Sequence, residues 1–369
     1  MPIRIQPYTE DRIPAVKEFN RRLAAGGISP EVRFPESNIP YWLPRLESRR
    51  IYQQYYLALE DEIVRGGFIL KYQEFLLAGS KQMLAYYHLP VSEGIVNKKF
   101  AGVGVHMLRS AMKMEPELFA LGMGGFDRPL PTMLKAMRWQ LCAIPFFYRI
   151  HHPNRLLRQI GLLRSSLLRR SAARVAAVTG AGWLGITAGQ WIRSRHVAHT
   201  ASEVIDGFGP WSDEVWRNCS PSYVMIGNRD STTLNILYPA RKNFLCLRVG
   251  GAQRPAGWAV LLDTQMNGNK YFGDLRVGSI ADCLARPENA SIVVSAATRL
   301  LEGRGVDLVI ANHSHRAWRH AFSDAGFFQG PSNFIFAASP ALTEKLHPFV
   351  EKESRVYLDR GDGDGPVNL

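Results

Sequence analysis

Apolar positions along the 369 residues follow two alternating periods, and each change of period marks an element. Residues 3–7 alternate as a strand does, and residues 10–25 then switch to helical spacing, with Ile13, Val16, Phe19 and Leu23 on one face. Asp11 lies in the first turn, where it suits the helix dipole, and Gly26-Gly27 ends the helix. Strands are predicted over 55–59, 64–72 and 83–91, the first two separated by the turn-like Glu60-Asp61-Glu62. A helix follows over 104–114, a short apolar strand over 117–123, a helix over 130–139 and a strand over 143–150. The order is β-α-β-β-β-α-β-α-β.

A similar order returns later in the chain. Strands are predicted over 244–249, 257–263 and 271–280, a helix over 290–302, a strand over 306–312, a helix over 314–325 and a strand over 334–338. Two halves thus share one layout with little shared sequence, a duplicated architecture rather than a short-period solenoid. The expected fold class is α/β (α+β), two tandem domains each built on a mixed central sheet flanked by helices. The expected boundaries are 1–153 and 201–345, with a basic helical linker at 154–200 and a C-terminal tail at 346–369. The last part of that tail, 359–369 with Gly361, Gly363 and Gly365, is expected to be flexible.

Composition changes the picture in one place. At 46% hydrophobic and 21% charged residues the chain can bury two cores. The formal charge of +13 is concentrated: between Arg128 and Ser202 there is no Asp or Glu, against twelve Lys or Arg. Within that segment Leu156, Ile160, Leu163 and Leu167 share a helical face opposite Arg155, Arg158 and Arg169. Residues 155–174 therefore suit peripheral contact with an anionic membrane. The uncharged stretch 175–192 is just long enough to span a bilayer, but Gly180, Gly182, Gly185 and Gly189 and its alanines disfavour insertion. A span would also strand the two halves on opposite sides. No aromatic residue interleaves the arginines of 155–174, so nucleic acid is not an expected partner. Cys142, Cys219, Cys246 and Cys283 stand far apart without a C-x-x-C pair and read as buried free thiols, with no metal site. The N-terminus lacks the apolar core of a signal peptide, and the expected location is cytoplasmic, peripheral at the inner face of the membrane if the basic segment docks there.

The motif with chemical content is Lys99-Phe100-Ala101-Gly102-Val103-Gly104, which follows a strand and opens a helix. Glycines at a helix N-terminus let several backbone N–H groups approach a phosphate, the helix dipole adds positive potential, and Lys99 adds a cation. In this context the chain resembles the GNAT acetyltransferase superfamily, whose loop here reads Arg/Gln-x-x-Gly-x-Gly/Ala; Lys99 replaces the usual Arg or Gln. The resemblance covers roughly residues 3–150 by element order. It implies that 99–104 hold the pyrophosphate of acetyl-CoA or another acyl-CoA, used as co-substrate. The second half resembles the family in Asn312 and in Ala325-Gly326-Phe327, but it has no Gly-x-Gly after the strand ending near Ser279, and Pro287 stands at its helix entry. One intact and one degraded copy is the pattern of tandem GNAT proteins and of the Fem-type transferases similar to them.

Acyl transfer to an amine needs a base, a polarised thioester carbonyl and a proton for the departing thiolate. Glu93, just past the 83–91 strand, is the first candidate base and His88 the second. Tyr86 or Tyr87 can line the acceptor cleft, but not both, since neighbours on a strand face opposite ways. The family's general-acid tyrosine would fall near Leu134 and Phe322, neither of which can donate a proton. In the second half Asn312, His313 and His315 at a strand end, with Asp274 or Asp282, form a candidate acceptor-binding cluster; two histidines at i, i+2 without a third ligand are a poor metal signal. The resulting expectation is an N-acyltransferase acting on the amine of a small molecule or a lipid-linked envelope or polysaccharide precursor. The alternatives are a Fem-like transferase using aminoacyl-tRNA and a non-catalytic scaffold.

Overall fold

The computed structural model describes residues 3–37, 39–40, 42–47, 49–159, 187–190, 192, 200–240, 244–269 and 271–363. The basic amphipathic segment and the uncharged stretch after it lie almost wholly outside the described residues. No helix among the described residues is long and apolar enough to cross a membrane.

The first part of the chain forms β1 (Arg4–Pro7), α1 (Ile13–Ala25), β2 (Ile51–Glu60), β3 (Ile63–Leu77) and β4 (Ser80–Ser92). Then come α2 (Gly102–Met114), β5 (Leu118–Met123), α3 (Pro129–Ala136) and β6 (Gln140–Ala143). Strands β1 to β4 pair antiparallel in sequence order, and β5 joins β4 in parallel. Alternation puts Phe68 and Tyr87 on one face of this sheet, packed with Met107 and Leu108 of α2 and Leu134 of α3. The other face packs Leu57 and Ile69 against Val16, Phe19 and Leu23 of α1, the apolar face read from its spacing.

The chain continues with β7 (Phe146–Ile150), α4 (Pro153–Gln159), β8 (Ser202–Ile205), α5 (Pro210–Cys219), β9 (Met225–Gly227), α6 (Ser231–Leu237), β10 (Phe244–Gly251) and β11 (Arg254–Gln265). These are followed by β12 (Arg276–Ala285), α7 (Ala290–Gly303), β13 (Leu308–Asn312), α8 (Arg316–Asp324) and β14 (Phe328–Gly330). The second sheet runs β14-β7-β13-β12-β11-β10-β8. Among the described residues its one parallel pair is β12 with β13, and every residue of β13 is buried, as a central strand with an unbroken apolar run requires.

The strand expected over 143–150 is two strands in different sheets. Pro145 has no N–H to give a ladder, and the chain changes sheet there: β6 belongs to the first and β7 to the second. The exchange is reciprocal. β15 (Phe334–Ala338) leaves the second half and inserts in the first sheet, whose order is β1-β2-β3-β4-β5-β15-β6, and α9 (Pro340–Lys345) and α10 (Phe349–Lys352) follow it. The compact units are therefore Met1–Ala143 with Ile335–Glu351, and Ile144–Phe334 with Lys352–Leu369. This differs from a simple division into 1–153 and 201–345, because each sheet is completed by a strand from the other half of the sequence. The start of the expected flexible tail is also ordered: Tyr357, Leu358, Asp359 and Asp362 are buried in the second unit.

Candidate functional site

In the first unit β5 pairs with β4 at Ala85 with Leu118 and Tyr86 with Phe119, and the two strands part beyond that point. A bulge in β4 lies at the parting. Gly67 faces Val91 and Ile69 faces His88, so β4 spends three steps where β3 spends two. Leu89 takes up the extra residue at a φ of 44°. A left-handed leucine costs on the order of 1–3 kcal/mol, and such bulges re-aim a strand next to a site.

Past β4 the chain makes the turn that places the loop 99–104. Gly94 sits hard against that loop: a Cβ there would lie 2.5 Å from the Phe100 carbonyl oxygen and 2.9 Å from Ala101 Cα. Phe100 and Val103 turn inward and join the core, Phe100 under the Arg65 guanidinium at 4.0 Å from its ring centroid. Lys99, Ala101 and Gly102 are exposed. Helix α2 begins at Gly102 with no side-chain cap, its N-cap being Ala101. Neither Gly102 nor Gly104 takes a positive φ. A Cβ on Gly102 would meet nothing within 4 Å, and one on Gly104 only Ser92 Oγ at 3.7 Å and Met133 Sδ at 3.9 Å. Neither the backbone nor the packing of the unit demands glycine at these positions.

The three candidate catalytic residues separate. Glu93 is buried, and its carboxylate is clamped: Arg22 donates from Nε and Nη2 at 3.1 Å each, and Arg65 donates from Nη1 at 3.0 Å. This is a brace tying α1 and β3 to the end of β4, not a base with a lone pair open to substrate. Tyr87 points into the core beside Phe68, and burial pushes its phenol well above the ordinary range, so it does not line a cleft. Tyr86 is also buried and donates to the Leu121 carbonyl at 3.1 Å. His88, on the bulged stretch with its ring 5.2 Å from that of Tyr86, is half-buried and keeps solvent access. Leu134 and Phe322 are core residues. Arg22 and Arg65 carried no sequence signal for their place beside Glu93; for Gly94 the signal available was a glycine directly after Glu93.

The corresponding place in the second unit is filled by the chain itself. β12 pairs with β13 from Val277 to Ile280, carries a bulge at Ala281, and runs on to Ala285 beyond that pairing. The C-terminal segment lies there, with Asp359 bridged to His313 and the Leu358 N–H donating to Ser314 Oγ at 2.8 Å. Arg229, 1% exposed, donates to Asp282 at 2.9 Å, to Asp362 at 2.9 Å and to Asp359 at 3.4 Å. Burial, then the Asp282 carboxylate, pushes Asp359 well above the usual carboxylate range. The expected acceptor-binding cluster is not assembled as an open site. Asn312, His313 and His315 are buried; His315 caps α8 by accepting the Ala317 N–H, and burial drives its imidazole down to about 4. Asp274 is elsewhere, accepting the Gly268 N–H at 2.7 Å in the turn before β12. Burial lowers both imidazoles, so they stay neutral near pH 7.

No family model matches the chain, and no curated protein matches it in sequence. Solved structures do. A protein of Enterococcus faecalis described as a probable N-acyltransferase is similar over 94% of this chain and 74% of its own, at 11% identity and a TM-score of 0.51. N-myristoyltransferase of Saccharomyces cerevisiae, solved with bound myristoyl-CoA, matches over 92% and 80% at 9% identity, also with a TM-score of 0.51. A GCN5-related N-acetyltransferase from Anabaena variabilis matches over 91% and 72% at 10% identity and a TM-score of 0.51. At such identities the shared property is the path of the backbone, and by that path the chain has the fold of two GNAT-like units in tandem.

Proposed function

We propose that the first unit binds an acyl-CoA and that the protein transfers the acyl group to a primary amine. The single observation that carries this reading is the start of α2. Two glycines in a first turn cost the helix up to about 1 kcal/mol each relative to alanine, and an alanine N-cap forgoes about 1 kcal/mol more. Neither packing nor φ requires either glycine, while a diphosphate seated on the amides of this first turn, with Lys99 beside it, accounts for both. The parting of β4 from β5 offers unpaired strand edge for the pantetheine arm to lie along. In the transfer the amine nitrogen attacks the thioester carbonyl, the C–S bond breaks, and the proton lost by the amine ends on the CoA thiolate. His88 is the residue proposed to carry that proton, with Glu93 holding the turn. The acceptor is proposed to be the amine of a small molecule or of a lipid-linked envelope precursor.

Calorimetric titration with acetyl-CoA and myristoyl-CoA tests this directly. Gly102→Asp places a carboxylate where the phosphates sit, a like-charge clash of several kcal/mol that lowers affinity by more than about 100-fold. The same carboxylate suits a helix N-terminus, so the fold stays intact. His88→Ala is expected to keep the affinity and lower the rate by about 100-fold or more. Absence of binding by the unaltered chain, or unchanged binding by Gly102→Asp, rejects the assignment.

A further inference from the structure

The second unit holds three metal-ligating side chains that acyl transfer does not use. Cys283 on β12, His313 just after β13 and Asp359 in the C-terminal segment each present one ligand atom, and the three atoms lie within 4.8 Å of one another. Each residue is 1% exposed. Among the described residues His313 Nε2 has no hydrogen-bond partner, and Asp359 Oδ2 has none beyond the neighbouring Asp282 carboxyl group. The other atoms of these groups are engaged: His313 Nδ1 accepts the His315 N–H at 3.1 Å, and Asp359 Oδ1 accepts from Gly361 N at 2.9 Å and from Arg229. A fully buried imidazole nitrogen without a partner, beside a thiol and a carboxylate, is a place for a ligand. Around them three carboxylates, Asp282, Asp359 and Asp362, meet the one guanidinium of Arg229.

We propose that Cys283, His313 and Asp359 bind one zinc ion, which pins the C-terminal segment to the edge where β12 and β13 part. A thiolate, an imidazole and a carboxylate form a mixed S, N, O set that suits zinc and not the all-oxygen cations calcium and magnesium. Zinc bonds of about 2.0–2.3 Å place tetrahedral donors roughly 3.3–3.8 Å apart, so the ligand atoms close in by up to about 1.5 Å on binding. The fourth position falls to water or to Tyr357 Oη, which lies 3.9 Å from Cys283 Sγ. Protons balance as follows. Cys283 releases its thiol proton to solvent, Asp359 releases the carboxyl proton that burial beside Asp282 favours, and His313 moves its ring hydrogen from Nε2 to Nδ1, giving up the His315 contact for the metal bond. A ligand set this deep is loaded before Val356 to Asp362 close over it. The two histidines at i, i+2 lacked a third ligand in sequence; the topology supplies Cys283 and Asp359, and His315 serves as the cap of α8 instead.

The test uses the full, untagged chain. Elemental analysis of protein purified without chelator is expected to find about one zinc per chain, the stoichiometry of a closed structural site. After chelation in mild denaturant and refolding, titration with cobalt(II) is expected to give tetrahedral d–d absorption and a thiolate-to-cobalt charge-transfer band. Cys283→Ser is expected to lose that band and to weaken zinc binding by more than the roughly 10–100-fold that second-shell losses cost. A chain that folds fully without zinc and shows no thiolate band with cobalt overturns the proposal, and that measurement on the unaltered chain decides even if Cys283→Ser fails to fold.

Discussion

Glycines of the first unit divide into two kinds. Gly94 is required by the protein itself, since a Cβ would lie 2.5 Å from a backbone carbonyl oxygen that cannot move without shifting the loop. Gly94→Ala is therefore expected to cost about 1–3 kcal/mol in urea unfolding and to weaken CoA binding through displacement of α2. Gly102 has open space around it, so Gly102→Ala is expected to leave stability unchanged or raise it by up to about 1 kcal/mol in the same experiment. A residue that costs the fold and serves nothing inside it is what the proposed CoA loop would require. Cysteines make the opposite case. Burial pushes the Cys246 thiol up to about 11 and Cys219 up to about 12. The fold thus favours the protonated thiols: their contribution is full below about pH 8.5, the unfolded thiol value, and is lost as pH rises toward the folded values. Native alkylation at about pH 8 is expected to leave both unmodified, and the alkaline loss of stability is expected to be shallower in Cys246→Ala.

Elements explain why the loop 99–104 stands where it does. β4 pairs antiparallel with β3 on both sides of its bulge, yet its described pairing with β5 is at Ala85 and Tyr86, and the bulge at Leu89 lies just past that contact. The helix after β4 returns its N-terminus to the carboxyl end of a parallel pair, which is where open α/β sheets bind ligands. β12 and β13 repeat the arrangement, with a bulge at Ala281, but there the chain's own C-terminal segment takes the place. Strand exchange adds an energetic link: β15 sits between β5 and β6, with Phe336 buried against Phe119 and Phe349. Phe336→Ala is expected to cost about 3–5 kcal/mol and to remove amide-exchange protection from β5, an element encoded far upstream. Unchanged protection at 118–123 would show that β15 contributes little to the first sheet.

At the scale of the whole molecule, periodicity determined the class of the long amphipathic and apolar elements, while α5, β9 and α6, short and mixed in pattern, were not read from it. α1, the apolar strands and the duplicated order were legible because core-facing residues must recur every 3.6 or every 2 positions. The glycine loop was legible for the same local reason: a strand, two glycines and a helix are contiguous in sequence. Local pattern says nothing about which sheet a strand joins, so the run 143–150 read as one strand and proved to be β6 and β7, parted at Pro145. It is equally silent on partners distant in sequence. Glu93 looked like a base because the two arginines that clamp it, Arg22 and Arg65, lie on other elements. The end of the chain looked flexible from its glycines, whereas Arg229 and β12 hold Asp359 and Asp362 in the core of the second unit. Sequence fixes what a segment is through constraints between near neighbours; ion pairs, ligand sets and sheet order arise from three-dimensional contacts between remote residues, and only the tertiary structure decides them.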